Sequence, residues 1–271
     1  MGLKAQVLAL DNYSFTISSG VPTRQKQNRW VIHRTMGVNF DEFDLRVSAH
    51  LAASNFRISN PLPLLIQMRD KVAQLQTLQE LGAPVIPSLI LRGNLEKENG
   101  VRIQNFIRQS KSSRFILKTE RGNHGLGVSL INGVDSLYSW LTTLHATKDQ
   151  RYILQPFLEN SREFRILLCG DQCLGLVEKK RKSKHAKNFK HNAGHTHFVP
   201  VNHPTRLHRP MLEWAQKIQT KMQSDFLAID FLLTNKKIHL LEVGLCPGFI
   251  EFEKASKINV AKKVIQHLFP K

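Results

Sequence analysis

Cysteine is scarce in this chain: three in 271 residues, Cys169, Cys173 and Cys246. An odd number without zinc-ligand spacing excludes a disulfide framework and points to free thiols in a reducing, cytoplasmic compartment. No apolar run reaches the roughly 18 residues a membrane-spanning helix needs, so no membrane contact is expected. The opening MGLKAQVLALDNYSF is too short and too interrupted for a secretory signal. Gln6 also stands where the myristoylation pattern requires serine or threonine. There is no internal repeat, no long low-complexity linker, no Walker loop and no G-x-G-x-x-G turn.

Acidic residues are also few. Aspartate and glutamate total 21 against 39 lysines and arginines, a net charge of +18. A field of that sign attracts anions: nucleotides, acidic peptides or nucleic acid. The cations are densest in EKKRKSKHAKNFKHN, residues 178–192, where only Phe189 interrupts them. Such a run is more often a solvated basic loop, and RNA contact would be helped by interleaved aromatics. His191, His195 and His197 in the same stretch read as an incidental cluster rather than a metal site.

Length permits one large domain or two to three small ones. The first sixty residues are irregular, with strand-like pieces at AQVLALD and RWVIHR. From Pro61 onward, Leu65, Met68, Val72, Leu75 and Leu78 recur at helical spacing, and Gly82 with Pro84 ends that helix. A second helix is expected at 101–109, then a strand (115–118), a glycine turn, a strand (127–131) and a helix (134–146). RYILQPF reads as a strand, and EFRILLCGDQCLGLVEKK as a hairpin turning at Gly170-Asp171. A helix over 204–222, a second hairpin over 225–244 and a closing amphipathic helix at 255–269 follow. Mixed helices with antiparallel hairpins indicate α+β with more than one lobe, rather than a doubly wound sheet.

Two carboxylates are out of place in the last hairpin. Asp230 lies within FLAIDFLL and Glu242 within HLLEVG. If the turn centres on Lys236, they face each other across the ladder with Cβ atoms ~5 Å apart. Half-buried like charges at that distance need an offset, and a divalent cation with substrate phosphates supplies one. Either residue alone would read as a bend cap or a surface ion pair. In FILKTERGNHGLGVSL, Lys118 is the only charge in its strand and ends beside Gly122, Gly125 and Gly127. Alone the segment is a glycine hairpin turn. With the lysine it becomes a loop whose N–H groups can approach a phosphate. Glu163 and Arg165 share a strand face beyond a proline-kinked segment, and Lys190 with Asn192 could reach phosphate oxygens.

The order of these pieces resembles the RimK-type glutamate ligases of the ATP-grasp superfamily, from about residue 60 to the end. The matching segments include RDKVAQLQTLQELGAPVIPS, YILQPFLENSREFRILLCGDQCLGLVEKK, NFKHNAGH and FLAIDFLLTNKKIHLLEVGLCPGFIEFEKASKINVAKKVI. The resemblance implies an ATP-grasp fold, two α+β lobes clamping ATP, preceded by a shortened N-terminal α/β pre-ATP-grasp domain. The implied divisions are 1–62, 63–150 and 151–271. It implies that Lys71 and Lys118 hold ATP phosphates. Gln155, Pro156, Phe157, Leu158 and Glu159 would flank adenine, and Glu163 would accept the ribose hydroxyls. Lys190 stands where the family usually has arginine, Asn192 matches its neighbour, and Asp230 and Glu242 correspond to the Mg²⁺ (or Mn²⁺) ligands. Gly244 departs from the pattern, because the family has a metal-binding asparagine there. Cys246 replaces a usual serine.

The implied reaction is ligation of a carboxylate to an amine through an acyl phosphate. Arg165, on the strand face of Glu163, is read as steadying the carboxylate or the acyl phosphate, a role the resemblance does not itself supply. Glutamate is the favoured amino acid. A peptide or protein acceptor, or a ribosomal acceptor with nearby RNA, would suit the basic surface. Two other readings compete: a catalytically weak relative that binds nucleotide in a responsive manner, and an RNA-associated basic protein.

Overall fold

The computed structural model describes residues 4–10, 13–17, 29–34, 42–92, 97–122, 127–145, 151–181, 196–235 and 237–270. Three sheets organise them. The first is small: β1 (Arg29–Ile32) pairs in parallel with β2 (Phe56–Ser59), and α1 (Phe43–Ala53) connects them. This βαβ unit fits the α/β character expected for the N-terminal part. Ala5–Leu10 forms no strand among the described residues; residues 4–9 lie exposed, with Val7 93% accessible.

Next come α2 (Leu62–Arg69) and α3 (Lys71–Glu80). The apolar periodicity suggested one helix, but Asp70 divides it. Its extended backbone (ψ 118°) ends α2, and its carboxylate accepts from the N–H groups of Val72 (2.8 Å) and Ala73 (3.0 Å). Capping of this kind starts a new helix, because it satisfies N–H groups that have no intrahelical partner. One consequence is that Lys71 becomes the first residue of α3 and stands at the helix end rather than in mid-face.

The second sheet has the order β3-β6-β4-β5, from β3 (Leu89–Arg92), β4 (Arg114–Thr119), β5 (Val128–Asn132) and β6 (Arg151–Pro156). Helices α4 (Lys97–Ser110) and α5 (Val134–His145) cover one face, where Ile103, Leu137 and Leu141 pack on Phe115, Ile131 and Leu154. Since β6 pairs with β3 and β4, this sheet extends to Pro156.

The third sheet, β11-β10-β7-β8-β9, consists of β7 (Arg162–Cys169), β8 (Gln172–Arg181), β9 (Thr196–Pro200), β10 (Phe226–Thr234) and β11 (Lys237–Gly244). Both faces are covered, which explains the nearly continuous apolar run of β10. On one face Leu227, Ile229, Phe231 and Leu233 meet α6 (Arg209–Met222) and the apolar sides of α2 and α3. Helices α2 and α3 therefore belong to this core, although they precede the second sheet in the chain. On the other face Leu167, Phe226 and Ala228 meet α7 (Ile250–Ser256) and α8 (Val260–Leu268). The closing helix expected at 255–269 is α8, which starts only at Val260: Lys257 (φ 60°) ends α7, and the Asn259 side chain caps Lys262 N–H.

Two single-residue bulges set the register of this sheet. The β7–β8 turn pairs Cys169 with Gln172 and Leu168 with Cys173, yet Leu167 faces Gly175, so Leu174 is extra. In the last hairpin Thr234 pairs with Lys237 and Phe231 with Leu240, yet Asp230 faces Glu242, so Leu241 is extra. Asn235 (φ 43°) opens the turn. Bulges of this type turn side chains that would otherwise point to the wrong face.

Candidate active site

Period-two alternation places Glu163 and Arg165 of β7, Lys179 of β8 and Asp230 of β10 on one face, beside Leu167, Val177 and Ala228. Arg165 donates from Nε to Asp230 Oδ1 (2.7 Å) and from a terminal nitrogen to Oδ2 (2.8 Å). Lys179 Nζ donates to Asp230 Oδ2 (2.7 Å) and to Glu163 Oε1. The Lys179 side chain is only 5% accessible. Burial acts to raise the Asp230 carboxyl, but Arg165 and Lys179 outweigh it and hold the group well below the usual carboxylate range. Burial likewise opposes the charge on Arg165, and Asp230, Glu163 and Glu242 together keep its pKa above the ordinary guanidinium value.

Glu242 faces Asp230 across the ladder as expected, but for a different reason. A turn centred on Lys236 is not what aligns them; the two-residue turn would pair Asp230 with Leu241, and the bulge moves Glu242 into place. The like-charge conflict is also relieved differently. Asp230 is matched by two cations, whereas Glu242 is exposed and makes no ion pair among the described residues. Outside the sheet, Gln74 of α3 fixes this strand: its amide donates to Val243 O (2.8 Å) and accepts from Val243 N–H (2.9 Å).

Lys118 ends β4 and approaches this cluster from the second sheet. Burial lowers its pKa to about 8; Lys71 pushes the same way, while Glu242 and Glu163 oppose. Among the described residues its ammonium has no hydrogen-bond acceptor or ion-pair partner. Burial also lowers Lys71, against the pull of Glu242 and Asp70, and its Nζ donates to Gly122 O. Gly127 closes the far side of the glycine segment. Its φ is +69°, and a Cβ there would lie 2.2 Å from Thr119 Oγ1, so only glycine fits. Gly125 lies outside the described residues, as do Lys190, Asn192, His191 and His195.

The segment expected near adenine leaves β6 at its end. Gln155 and Pro156 are buried in the second sheet, with the Gln155 amide on Ser88 Oγ (2.8 Å). Phe157 N–H donates to Arg114 O (2.9 Å), Leu158 follows half-buried, and Glu159 is an exposed partner of Arg114 (2.9 Å). Glu163 has its carboxylate on Lys179. The structure thus gathers Lys71, Lys118, Glu163, Arg165, Asp230 and Glu242 into one electrostatic cluster. Sequence reasoning missed Lys179 and Gln74. Lys179 looked like part of a surface charge run, and an unbulged hairpin would have set Glu178 opposite Glu163.

Lys71 and Lys118 thus stand with the acids of the β10–β11 ribbon in one electrostatic cluster. A family profile described as "RimK-like ATP-grasp domain" matches residues 68–268. The chain belongs to the RimK-like ATP-grasp family. It is a ligase that forms carbon–nitrogen bonds, of the RimK carboxylate–amine type. A probable alpha-L-glutamate ligase of Haemophilus ducreyi is 27% identical over 234 residues, covering 86% of this chain and 72% of the relative. Among solved structures, D-alanyl-alanine synthetase A of Vibrio cholerae O1 biovar eltor superposes with a TM-score of 0.71 at 15% identity, over 89% of this chain and 75% of that one. The ATP complex of D-alanine–D-alanine ligase from Bacillus anthracis gives 0.64 at 15% identity, over 82% and 72%. These two likenesses establish the ATP-grasp fold. Among the described residues no helix is long and apolar enough to cross a membrane.

Proposed function

We propose that this RimK-type ligase uses ATP to join glutamate, or another amino acid, to a peptide, protein or small-molecule acceptor through an acyl phosphate. One observation carries the reading: Lys118 is a half-buried ammonium with no partner among the described residues, within electrostatic reach of Lys71 and Glu242. A cation held out of water at such a cost awaits an anion, and a nucleotide phosphate matches its position beside the glycine segment. The glutamate preference rests on the relatives, which are named probable alpha-L-glutamate ligases. The division of the chain into an N-terminal unit, a small lobe and a C-terminal lobe is part of the same reading.

The residues then divide the work. Lys71 and Lys118 neutralise phosphate oxygens, and Gly122, Gly125 and Gly127 let the backbone close over them, excluding water that would hydrolyse the intermediate. Residues 155–159 border the base with backbone groups, and Glu163 accepts from the ribose hydroxyls. Lys190 and Asn192 complete the phosphate contacts. Asp230 and Glu242 are adjacent hard-oxygen donors, and Glu242 has no competing ion pair among the described residues, so the pair fits a Mg²⁺ or Mn²⁺ ion. When bound, that ion supplies charge neutralisation at the phosphates. The substrate carboxylate oxygen attacks the γ-phosphorus and ADP departs. Arg165 orients the acyl phosphate until the amine nitrogen attacks its carbonyl and phosphate leaves. Catalysis is positioning and electrostatics, with no covalent nucleophile.

Mass spectrometry of candidate peptides incubated with glutamate, ATP and Mg²⁺ tests this. The expected result is a gain of one or more glutamyl residues, matched by ADP release. ADP release without any amide product, across amino acids and acceptors, would overturn the ligase substrate assignment.

A further inference from the structure

Lys179 has no part in the roles above, yet it is the most enclosed cation of the site. Its ammonium bridges Glu163 and Asp230, carboxylates on strands that flank each other, from a side chain 5% accessible. A bridging divalent ion would occupy the same kind of position. Asp230 already gives both oxygens to Arg165 and Lys179. Among the described residues, Glu242 is then the one carboxylate of the cluster with neither an ion pair nor a hydrogen bond. No set of three metal-ligating side chains is gathered among those residues either. Gly244, next along the Glu242 face, contributes no donor, although a Cβ there would meet nothing within 4 Å. Mg²⁺ takes about six oxygen ligands at near-octahedral geometry, so a second ion lacks protein donors among the described residues. It also lacks an electrostatic need: Lys71, Lys118, Arg165 and Lys179 already outnumber Glu163, Asp230 and Glu242.

We infer that Lys179 is a built-in cation in place of a second divalent ion, so that this enzyme works with one metal ion per nucleotide. The inference rests on the proposed nucleotide and metal site, and adds to it a fixed charge from β8. The substitution has a physical logic. A lysine held by two buried carboxylates is always present, whereas a weakly ligated second ion depends on its concentration. It also makes Lys179 a competitor of the first ion for Asp230, since like charges at close range repel strongly in a partly buried site.

Native mass spectrometry of the full chain with Mn²⁺ and a β,γ-imido ATP analogue counts the ions directly. One Mn²⁺ per nucleotide-bound chain is expected for the unaltered protein, and two for a folded Lys179→Met/Gly244→Asn double variant. Two in the unaltered protein, or still one in the double variant, overturns the inference while leaving the nucleotide site standing. Nucleotide-bound chains that carry no Mn²⁺ remove the metal site itself, and this inference with it. A second readout needs no nucleotide. By Mn²⁺ electron paramagnetic resonance, Lys179→Met should bind the ion about tenfold more tightly or better, because a repelling charge is gone. Weaker binding would mean that Lys179 only orders Asp230, and would also overturn the proposal.

Discussion

Two buried aspartates in this protein have nearly the same surroundings and opposite meanings. Asp44, on α1, accepts two hydrogen bonds from Arg69 and one from His33 Nε2 (3.1 Å), while His33 Nδ1 meets Ser48 Oγ at 2.9 Å. Asp230, on β10, accepts two from Arg165 and one from Lys179. Each pairs a forked guanidinium with a second cationic or polar donor, and each aspartate is at most 5% accessible. The Asp44 network includes Ser48, which is buried and hydrogen-bonded, and it joins α1 to α2 and the end of β1. The Asp230 network borders Lys118 and Glu242, groups on other strands that have no hydrogen-bond or ion-pair partner among the described residues. What separates scaffold from site is therefore the state of the neighbours, since a buried ion pair is in itself weak support for either role.

Substitution of the two aspartates is the sharpest way to break the comparison. Asp230→Asn should lower ADP release at least about 10²-fold. It should also cost about 3 kcal/mol of stability in urea, because two buried cations lose their counter-charge. Asp44→Asn should cost a similar ~3 kcal/mol and leave turnover per folded molecule within about twofold. Equal loss of turnover in both would erase the distinction between them.

Lys118 sharpens the contrast from the other side. Lys118→Met should abolish nucleotide-dependent turnover and yet raise the unfolding temperature at pH 7, since it removes a charge the fold disfavours. The sign follows from its pKa of about 8, below the unfolded value. Between there and about 10.5 the unfolded chain binds the extra proton, so stability rises with pH across that window. Nucleotide binding runs oppositely. An anion favours protonated Lys118, so affinity for the ATP analogue should fall above pH 8, by up to about tenfold per unit, in calorimetric titrations at pH 7 and 9. A Lys118→Arg variant should flatten that profile. The smallest effect is expected for Gly244→Asn alone, within about 0.5 kcal/mol in urea, because open space receives the side chain.

Most elements were legible because their apolar periods are strong. Helices α4 and α5, the strands on either side of the glycine turn and both C-terminal hairpins lie within a few residues of where spacing put them. Failures came where a polar side chain overrode the period. Asp70 split one helix into two, the Asn259 cap moved the start of the closing helix to Val260, and Ala5–Leu10 alternates like a strand yet pairs with none among the described residues.

What the sequence by itself determined was the inventory: a lone lysine closing a buried strand, glycines after it, and acids inside apolar ribbons. Those are visible because buried charge is costly and therefore rare. Which of them meet was decided by the tertiary structure. Leu174 and Leu241 each insert one residue into a ladder, and a slip of one residue exchanges the two faces of a strand. Without those bulges Glu178 would stand opposite Glu163, and Leu241 opposite Asp230. Hairpin counting from the turns cannot see them, because a bulge is fixed by how both faces of the sheet pack against their helices.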